Sequence, residues 1–344
     1  MQPRMMGLRR PGGAENGAPH CRPARRRSRL TVTIQERPVL LGWRALEWFF
    51  ARMPPRLSVA AMRGLYTLAY YAWPPKAEVM RSNMAHVMGW PRDDARTAAM
   101  ARRSYRTYGR YLAELLRLPS RPREEVSGLM DEHQLESFMS LREGSHGMIV
   151  ASAHLGNGEA MVAAFAHLGL PSNVLADDSS QLELFEYLNA QRSRWGVRMV
   201  PWRNLREVYR ILRRGEILGI TVDWGYRPGD VPVRLFGTWT TLPAGPATLA
   251  ARTRALILPI FSYRQSNGRY FAFHTEPIRV ADDAPATIQQ ATQRIAEALE
   301  EAVRRAPEQW YSFKRVWPRT AEEQLRLETR AAELLGAGAR AGSA

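Results

Sequence analysis

Apolar residues in the first part of the chain recur at helical spacing and predict three helices. The segments 39–50 and 57–73 are strongly apolar, and each ends close to a pair of prolines; the segment 95–118 follows, with an apolar stripe typical of a core-facing helix. None has the ~18 to 20 charge-free residues of a membrane-spanning helix. Aromatic side chains beside arginines favour helices lying in a membrane interface, and a subdomain that packs those aromatics inside is the alternative.

After residue 135 the pattern changes to short apolar runs that alternate with helical segments. Such alternation predicts an α/β fold, with a mostly parallel central sheet covered by helices. Sites in such sheets gather at the carboxyl ends of strands. The predicted strands are 147–151, 172–176, 197–200, 217–222, 255–263 and 270–274, and the predicted helices are 160–168, 181–195, 205–214, 244–253, 286–305 and 321–335.

These patterns divide the chain into four segments. Residues 1–30 are rich in glycine, proline and arginine without apolar periodicity, which is typical of a disordered basic tail. No apolar stretch follows its basic residues, so it does not resemble a secretory signal, and a solvated tail is favoured over a nucleic-acid-binding arm. The others are a helical membrane-interface segment (31–119), an α/β domain (120–318), and a C-terminal helix and tail (319–344).

Composition narrows the classes of function. The chain has 344 residues, of which 45% are hydrophobic, and a formal net charge of +16, so it can bury a large core and is expected to meet anionic partners. Its single cysteine, Cys21, allows no internal disulfide and fits a reducing cytoplasm. The sequence has no GxSxG elbow, no phosphate-binding P-loop and no zinc-ligand spacing, so we expect no metal and no cofactor.

The strongest candidate for chemistry follows the first predicted strand. His154 lies just beyond that strand, the turn Gly156-Asn157-Gly158 comes next, and Glu159 stands in the first turn of a predicted helix. Two glycines allow the chain to fold back, so Glu159 can accept from one ring nitrogen of His154 while the other acts as general base. N–H groups of residues 156–158 are candidate donors to an oxyanion. A chance pair with a purely structural role is the alternative.

Weaker candidates lie downstream. Asp223 follows another predicted strand, either as a substrate-binding residue or as a turn residue that satisfies local N–H groups. Arg227 is a second candidate for the oxyanion. Pro243 and Gly245 fit a helix start that also contributes to binding. No serine or cysteine stands out as a nucleophile, so direct transfer is favoured over an acyl-enzyme.

Several short motifs in fixed order resemble the bacterial lipid A biosynthesis acyltransferase family, which includes phosphatidylinositol mannoside acyltransferases. The resemblance spans about residues 40 to 318. The motifs are RSNM (81–84), AHLGNGE (153–159), Asp223, FG (236–237), LPAGPA (242–247), LPI (258–260) and PEQWY (307–311).

This resemblance implies a glycerolipid-acyltransferase-like fold and a peripheral enzyme on the cytoplasmic face of the bacterial inner membrane. It implies transfer of a fatty acyl chain from acyl carrier protein or acyl-CoA to a glycolipid hydroxyl, with His154 as base and Glu159 as its acidic partner. Glu159 leans towards the lipid A branch and the segment 243–247 towards the mannoside branch, so both acceptors stay open.

Two other classes of protein remain as alternatives. A basic nucleic-acid-binding protein explains the net charge but not the setting of His154 and Glu159, and no specific nucleic acid is expected. A non-catalytic lipid-binding homologue keeps the apolar groove without turnover. Contact between His154 and Glu159 at the mouth of an apolar tunnel favours the enzyme, whereas side chains on opposite sides of the sheet exclude it.

Overall fold

Four long helices form the first part of the protein. In the computed structural model, which describes residues 29–130, 147–167, 169–170, 172–177 and 182–341, they are α1 (Arg29–Arg52), α2 (Pro55–Ala72), α3 (Pro74–Met88) and α4 (Ala95–Arg117). Helices α2 and α3 have proline in the first turn, where the missing N–H would have no intrahelical acceptor anyway. The three predicted helices are confirmed, and α3 is an additional one. Apart from its last two residues, the predicted tail 1–30 lies outside the described residues.

Helices α2 and α4 pack closely against each other. Edge-to-face rings join them, with centroids 5.1 Å apart for Tyr66 and Tyr108 and 5.4 Å apart for Tyr70 and Tyr105. Gly109 permits the close approach, since a Cβ there would lie 2.4 Å from the carbonyl oxygen of Met62. Among the described helices, none combines the length and apolar character needed to cross a bilayer.

A six-stranded sheet is the centre of the second part. Its strands are β1 (Met148–Ser152), β2 (Ser172–Ala176), β3 (Val197–Pro201), β4 (Ile217–Thr221), β7 (Leu256–Arg264) and β8 (Tyr270–His274), in the order β3-β2-β4-β1-β7-β8. Every neighbouring pair is parallel except β7 and β8. The predicted α/β class with a mostly parallel sheet is therefore confirmed.

Helices cover both faces of this sheet. The helices of this part are α5 (Arg123–Ser127), α6 (Gly158–His167), α7 (Leu182–Ser193), α8 (Leu205–Arg213), α9 (Gly245–Thr253), α10 (Pro285–Arg305) and α11 (Ala321–Ala341), of which α11 packs on α10 and on a two-stranded hairpin (231–242). One buried cluster joins α6 to one face of the sheet, and a larger one joins α8, α9 and α10 to the other. The two central strands, β1 and β4, are buried or nearly so, which agrees with their continuous apolar runs.

A two-stranded hairpin was not predicted. It pairs β5 (Val231–Leu235) with β6 (Thr238–Leu242) through the two-residue loop Phe236-Gly237. Both loop residues have positive φ, 51° and 73°, as a tight hairpin turn of the primed type requires. Its two strands lie outside the main sheet. They contain threonines and Arg234 and therefore lack the continuous apolar run by which the strands of the main sheet were predicted.

Candidate active site

The turn after β1 places His154 and is held from three sides. Leu155 forms an isolated bridge with Trp310, and the Gly156 N–H donates to the Gln309 carbonyl at 3.0 Å. Gly156 has φ +63°, and a Cβ there would lie 2.0 Å from the Ser262 carbonyl oxygen, so only glycine fits. The turn therefore has one defined shape.

Sheet order brings a second strand end beside His154. Strands β1 and β4 are neighbours, with Ser152 opposite Thr221 as the last pair of the ladder. His154 and Asp223 each lie two residues beyond that pair, at the same carboxyl edge of the sheet. The topology thus joins two residues that are 69 positions apart in the sequence.

Asp223 is the carboxylate that binds His154. Its Oδ1 lies 2.8 Å from the His154 Nδ1, and its Oδ2 accepts from the His154 backbone N–H at 3.0 Å. The Trp310 indole N–H donates to the same Oδ2 at 2.9 Å. The Asp223 side chain is only 1% exposed, whereas that of His154 is 49% exposed. Asp223 therefore holds the imidazole from behind, a contact that was not predicted from the sequence.

The electrostatics of this pair fix the histidine tautomer. Burial by itself would raise the pKa of Asp223, but the adjacent His154 and the hydrogen bonds from His154 and Trp310 outweigh burial and lower it. An ionised carboxylate only accepts hydrogen bonds, so Nδ1 of His154 carries the proton and Nε2 of the neutral ring is free to accept one. Asp223 also raises the pKa of His154, against burial and the charge of Lys314, which lower it.

Glu159 does not bind His154. Arg192 on α7 makes a bidentate pair with Glu159, with its Nε and Nη2 lying 2.7 and 2.6 Å from the two carboxylate oxygens. The expected hydrogen bond from Glu159 to the imidazole is wrong, because Asp223 is the partner of the His154 Nδ1 and Arg192 binds both carboxylate oxygens of Glu159. Both Glu159 and His154 still line the same cavity, so they are not on opposite sides of the sheet.

That cavity, which we call the catalytic cavity, has a volume of about 350 Å³. It is lined by His154, by residues of β1, β2 and β4 and by residues of α6, and most of these side chains are apolar. Tyr111 and Tyr311 stack in its wall with ring centroids 5.4 Å apart. The apolar side chains that line it are Val150, Leu155, Met161, Val162, Val174, Leu175, Met199 and Ile220.

A second cavity of about 510 Å³ contains the remaining sequence candidates. Arg227, Pro243 and Gly245 line this cavity and not the catalytic cavity. The two cavities share a wall that includes Thr221 and Trp224, and the Trp224 ring meets His154 edge to face with centroids 5.9 Å apart. Arg227 therefore lines a cavity that adjoins the catalytic cavity but that does not include His154.

The candidate oxyanion donors differ in availability. The N–H of Gly156 is occupied by Gln309, so it is not a free donor. The side chain of Asn157 is buried and caps α6, accepting from the Ala160 N–H at 3.0 Å. Gly158 begins α6, where N–H groups have no intrahelical acceptor, so Asn157 and Gly158 remain the candidate donors from this turn.

The segment after Trp310 completes the site. Asn83, which is buried on α3, donates to the carbonyls of Ser312 and Lys314, both at 2.9 Å. Lys314 places its ammonium 4.7 Å from the centre of the Trp224 ring. Sequence reasoning noted the motif around Asn83 without a role, and it gave no role to Arg192 or Lys314. Within the described residues, no group of three or more acidic, histidine or cysteine side chains is placed to hold a metal ion.

Comparison with known proteins gives a family match and curated relatives. The model of the family described as bacterial lipid A biosynthesis acyltransferase matches residues 38–319. The phosphatidylinositol mannoside acyltransferase of Mycolicibacterium smegmatis is 23% identical over 282 residues, covering 80% of this chain and 90% of that protein. The protein of the same name from Mycobacterium tuberculosis is 23% identical over 313 residues, covering 88% and 95%.

Proposed function

Since the chain belongs to the bacterial lipid A biosynthesis acyltransferase family and is an acyltransferase that acts on a lipid, we propose that it transfers a fatty acyl chain to a glycolipid hydroxyl. The donor is acyl carrier protein or acyl-CoA, as a co-substrate. The acceptor is a lipid A precursor or a lipid like a phosphatidylinositol mannoside, and the names of the curated relatives support the second. The observation that carries the proposal is the His154–Asp223 pair, whose imidazole lines a mainly apolar cavity.

The proposed mechanism uses His154 as the general base. Nε2 takes the proton of the acceptor hydroxyl as its oxygen attacks the thioester carbonyl carbon. The tetrahedral intermediate then collapses, the carbon–sulfur bond breaks, and the imidazolium returns the proton to the departing thiolate. Asp223 holds the imidazole in the required tautomer and stabilises the imidazolium, as the buried acid of a catalytic triad does. Asn157 and Gly158 are the proposed N–H donors to the developing oxyanion.

The catalytic cavity is the proposed acyl site. Its apolar lining suits an aliphatic chain, and each buried methylene contributes about 0.8 kcal/mol. Glu159 and Arg192 form an ion pair in the wall of this cavity, with their side chains 28% and 12% exposed. We therefore assign Glu159 a positioning role, in which it fixes α6 against α7.

The proposed location is the cytoplasmic face of the bacterial inner membrane, as a peripheral protein. Ten of the fifteen exposed large apolar side chains in the described part of the chain lie between residues 39 and 73. Such concentration of apolar surface marks an interaction site, and arginines on α1 and α2 flank it. A phospholipid surface is the partner that fits both features.

Transfer assays in detergent micelles test the reaction. Membrane extract supplies acceptors, and labelled acyl-CoA and labelled acyl carrier protein are compared as donors with wild type and His154→Ala. We expect label in a lipid with wild type and a loss of at least about 10²-fold with His154→Ala. Circular dichroism checks that the variant is folded.

The outcomes separate the alternatives. Transfer that persists in a folded His154→Ala variant would place the base elsewhere. No transfer by wild type with either donor and any extract would reject the proposed reaction. The donor that gives label, and the chromatographic identity of the labelled lipid, decide between the proposed co-substrates and acceptors.

A further inference from the structure

One large cavity in the described part of the chain is a groove rich in arginine. It has a volume of about 730 Å³ and lies between α2, α4 and the end of β7. Glu308 is the only acidic side chain among the described residues that line it. Its cationic lining, which we call the arginine groove, consists of Arg63, Arg102, Arg103, Arg106, Arg110 and Arg264.

The positive charge of the arginine groove is only partly balanced. Glu114 pairs with Arg110 and Arg264, at 3.1 and 3.0 Å. Within the described residues, Arg63, Arg103 and Arg106 form no ion pair. Burial, together with the charges of Arg106 and Arg110, lowers the pKa of Arg63. Like charges are thus held close together, which an anionic ligand would relieve.

Arginine side chains specify the kind of anion. A guanidinium presents a planar fork of N–H donors that matches the oxygens of a phosphate in bidentate geometry. The rest of the lining is mostly polar and includes Thr107, Ser266 and Gln309. The groove therefore suits the charged part of a ligand and not an aliphatic chain.

Apolar surface adjoins the groove on one side. A neighbouring cavity of about 600 Å³ shares Arg63 and Arg106 with it, and Leu68 and Tyr71 of α2 form part of its wall. Both of these α2 side chains are more than half exposed. The Tyr71 hydroxyl accepts from Arg102 at 2.8 Å, so the apolar surface and the cationic groove meet at this residue.

We propose that the arginine groove binds the phosphate headgroup of an anionic membrane lipid, with the apolar part of that lipid lying along α2. A soluble nucleotide would use the arginines but would gain nothing from the exposed leucines beside them. The proposal rests on the proposed membrane association and is independent of the chemistry at His154.

Binding in this groove would also orient the catalytic cavity. Helix α4 supplies Arg103 and Arg106 to the groove and Tyr108 and Tyr111 to the catalytic cavity. Gln309 lines the groove, and two residues later the Tyr311 N–H donates to the His154 carbonyl at 2.8 Å. A lipid phosphate held by these arginines would therefore hold the catalytic cavity at the membrane surface.

Vesicle flotation with charge-matched lipids tests the proposal. Phosphatidylcholine vesicles receive either phosphatidic acid, which carries a phosphate, or oleate, which carries a carboxylate, at equal zeta potential. We expect wild type to prefer phosphatidic acid, and Arg103→Gln/Arg106→Gln to lose that preference and to bind those vesicles at least about tenfold more weakly. Arg206→Gln/Arg213→Gln, which removes two exposed arginines from another cationic cavity, is the matched control and should behave like wild type.

Three results would overturn the proposal. One is equal binding to the two charge-matched vesicles, which would mean attraction to net charge alone. Another is an equal loss in the control variant. The third is tight binding of soluble adenosine 3′,5′-bisphosphate that depends on Arg103 and Arg106 while no vesicle preference exists, which would make the groove a nucleotide site. Because His154→Ala should retain the lipid preference, a failure of the acyl-transfer proposal would be seen separately.

Discussion

At the residue scale, the state of His154 is set by a carboxylate that comes from another strand. Asp223 receives three hydrogen bonds, two from His154 and one from the Trp310 indole, so neither its position nor its charge depends on solvent. Glu159, by contrast, has Arg192 as its partner. The two acids are therefore separable by substitution.

Asp223→Asn and Glu159→Gln should have different effects. Asparagine cannot accept from both Nδ1 and the indole as a carboxylate does, and it favours the wrong tautomer, so we expect kcat to fall roughly 10²- to 10⁴-fold. Glu159→Gln leaves His154 oriented but removes the partner of Arg192, so we expect a loss of roughly 1.5 to 3 kcal/mol in the free energy of unfolding and less than about a tenfold loss of kcat. Equal kcat losses in two folded variants would contradict these roles.

The pH dependence of transfer reports the same pair. A general base acts when neutral, so activity should rise with pH through the pKa of His154, which Asp223 raises above the ordinary value of about 6.5. Because the pKa of His154 is raised by folding, protonated His154 stabilises the folded protein at pH values below the ordinary histidine pKa. This contribution is lost as the pH rises through the pKa that His154 has in the folded protein.

Two variants should shift the acidic limb of the pH–activity profile, where activity rises with pH, in opposite directions. Asp223→Asn should move it to lower pH, and Lys314→Met should move it to higher pH because the charge of Lys314 lowers the pKa of His154. The measurement is log(kcat/KM) against pH for the three proteins. A limb that stays in place in both variants would show that another group controls the reaction.

At the element scale, the turn between β1 and α6 contains two glycines with different requirements. Gly156 has positive φ and no room for a Cβ beside the Ser262 carbonyl, whereas a Cβ at Gly158 would have open space. Gly156→Ala should therefore cost at least about 2 kcal/mol of unfolding free energy and most of the activity. Gly158→Ala, the control, keeps the N–H and should lower the melting temperature little; a matching loss in both would contradict this account.

Strand β4 contributes a glycine to the catalytic cavity. Gly219 pairs with Val150 of β1 and lines the catalytic cavity together with Met161 of α6, and a Cβ there would make only ordinary contacts at 3.6 and 3.7 Å. Gly219→Ala should be tolerated, whereas Gly219→Leu should fill the proposed acyl site and shift the preferred donor to a shorter chain. Transfer rates measured with donors of graded length check this, and an unchanged chain-length profile in Gly219→Leu would place the acyl chain elsewhere.

The elements themselves were predictable because their signals are local. Apolar periodicity located all six strands of the main sheet within two residues, and strand-end positions identified both His154 and Asp223 as candidates. Their pairing was not predictable, since it depends on β4 lying next to β1 although β2 and β3 come between them in the chain. The hydrogen bond expected between Glu159 and His154 was wrong because the sequence does not show that Arg192, 33 positions further along the chain, lies against Glu159.

At the scale of the whole molecule, parts distant in sequence meet around the carboxyl edge of the sheet. Asn83 on α3 holds the segment 312–316, and the residues just before that segment bond to Asp223 and His154. The order of motifs in the sequence predicted that these parts belong to one protein family. Only the fold shows that Asn83, the segment 310–314 and Asp223 are joined by hydrogen bonds next to the same imidazole.

The exposed apolar surface of the N-terminal helices makes the final prediction. Leu65 and Leu68 on α2 are 55% and 65% exposed, and Leu325 on α11 is 63% exposed at a site distant in sequence. Each leucine that enters the bilayer interface should contribute at least about 1 kcal/mol, so Leu65→Ser/Leu68→Ser should weaken partitioning into vesicles roughly tenfold or more. All three leucines are exposed, so the melting temperature should change little.

Leu325→Ser should partition as wild type does, because on this account only the α1–α2 surface meets lipid. If instead the α11 variant lost binding and the α2 variant kept it, the membrane-facing side of the molecule would have to be reassigned, and with it the direction from which lipid reaches His154.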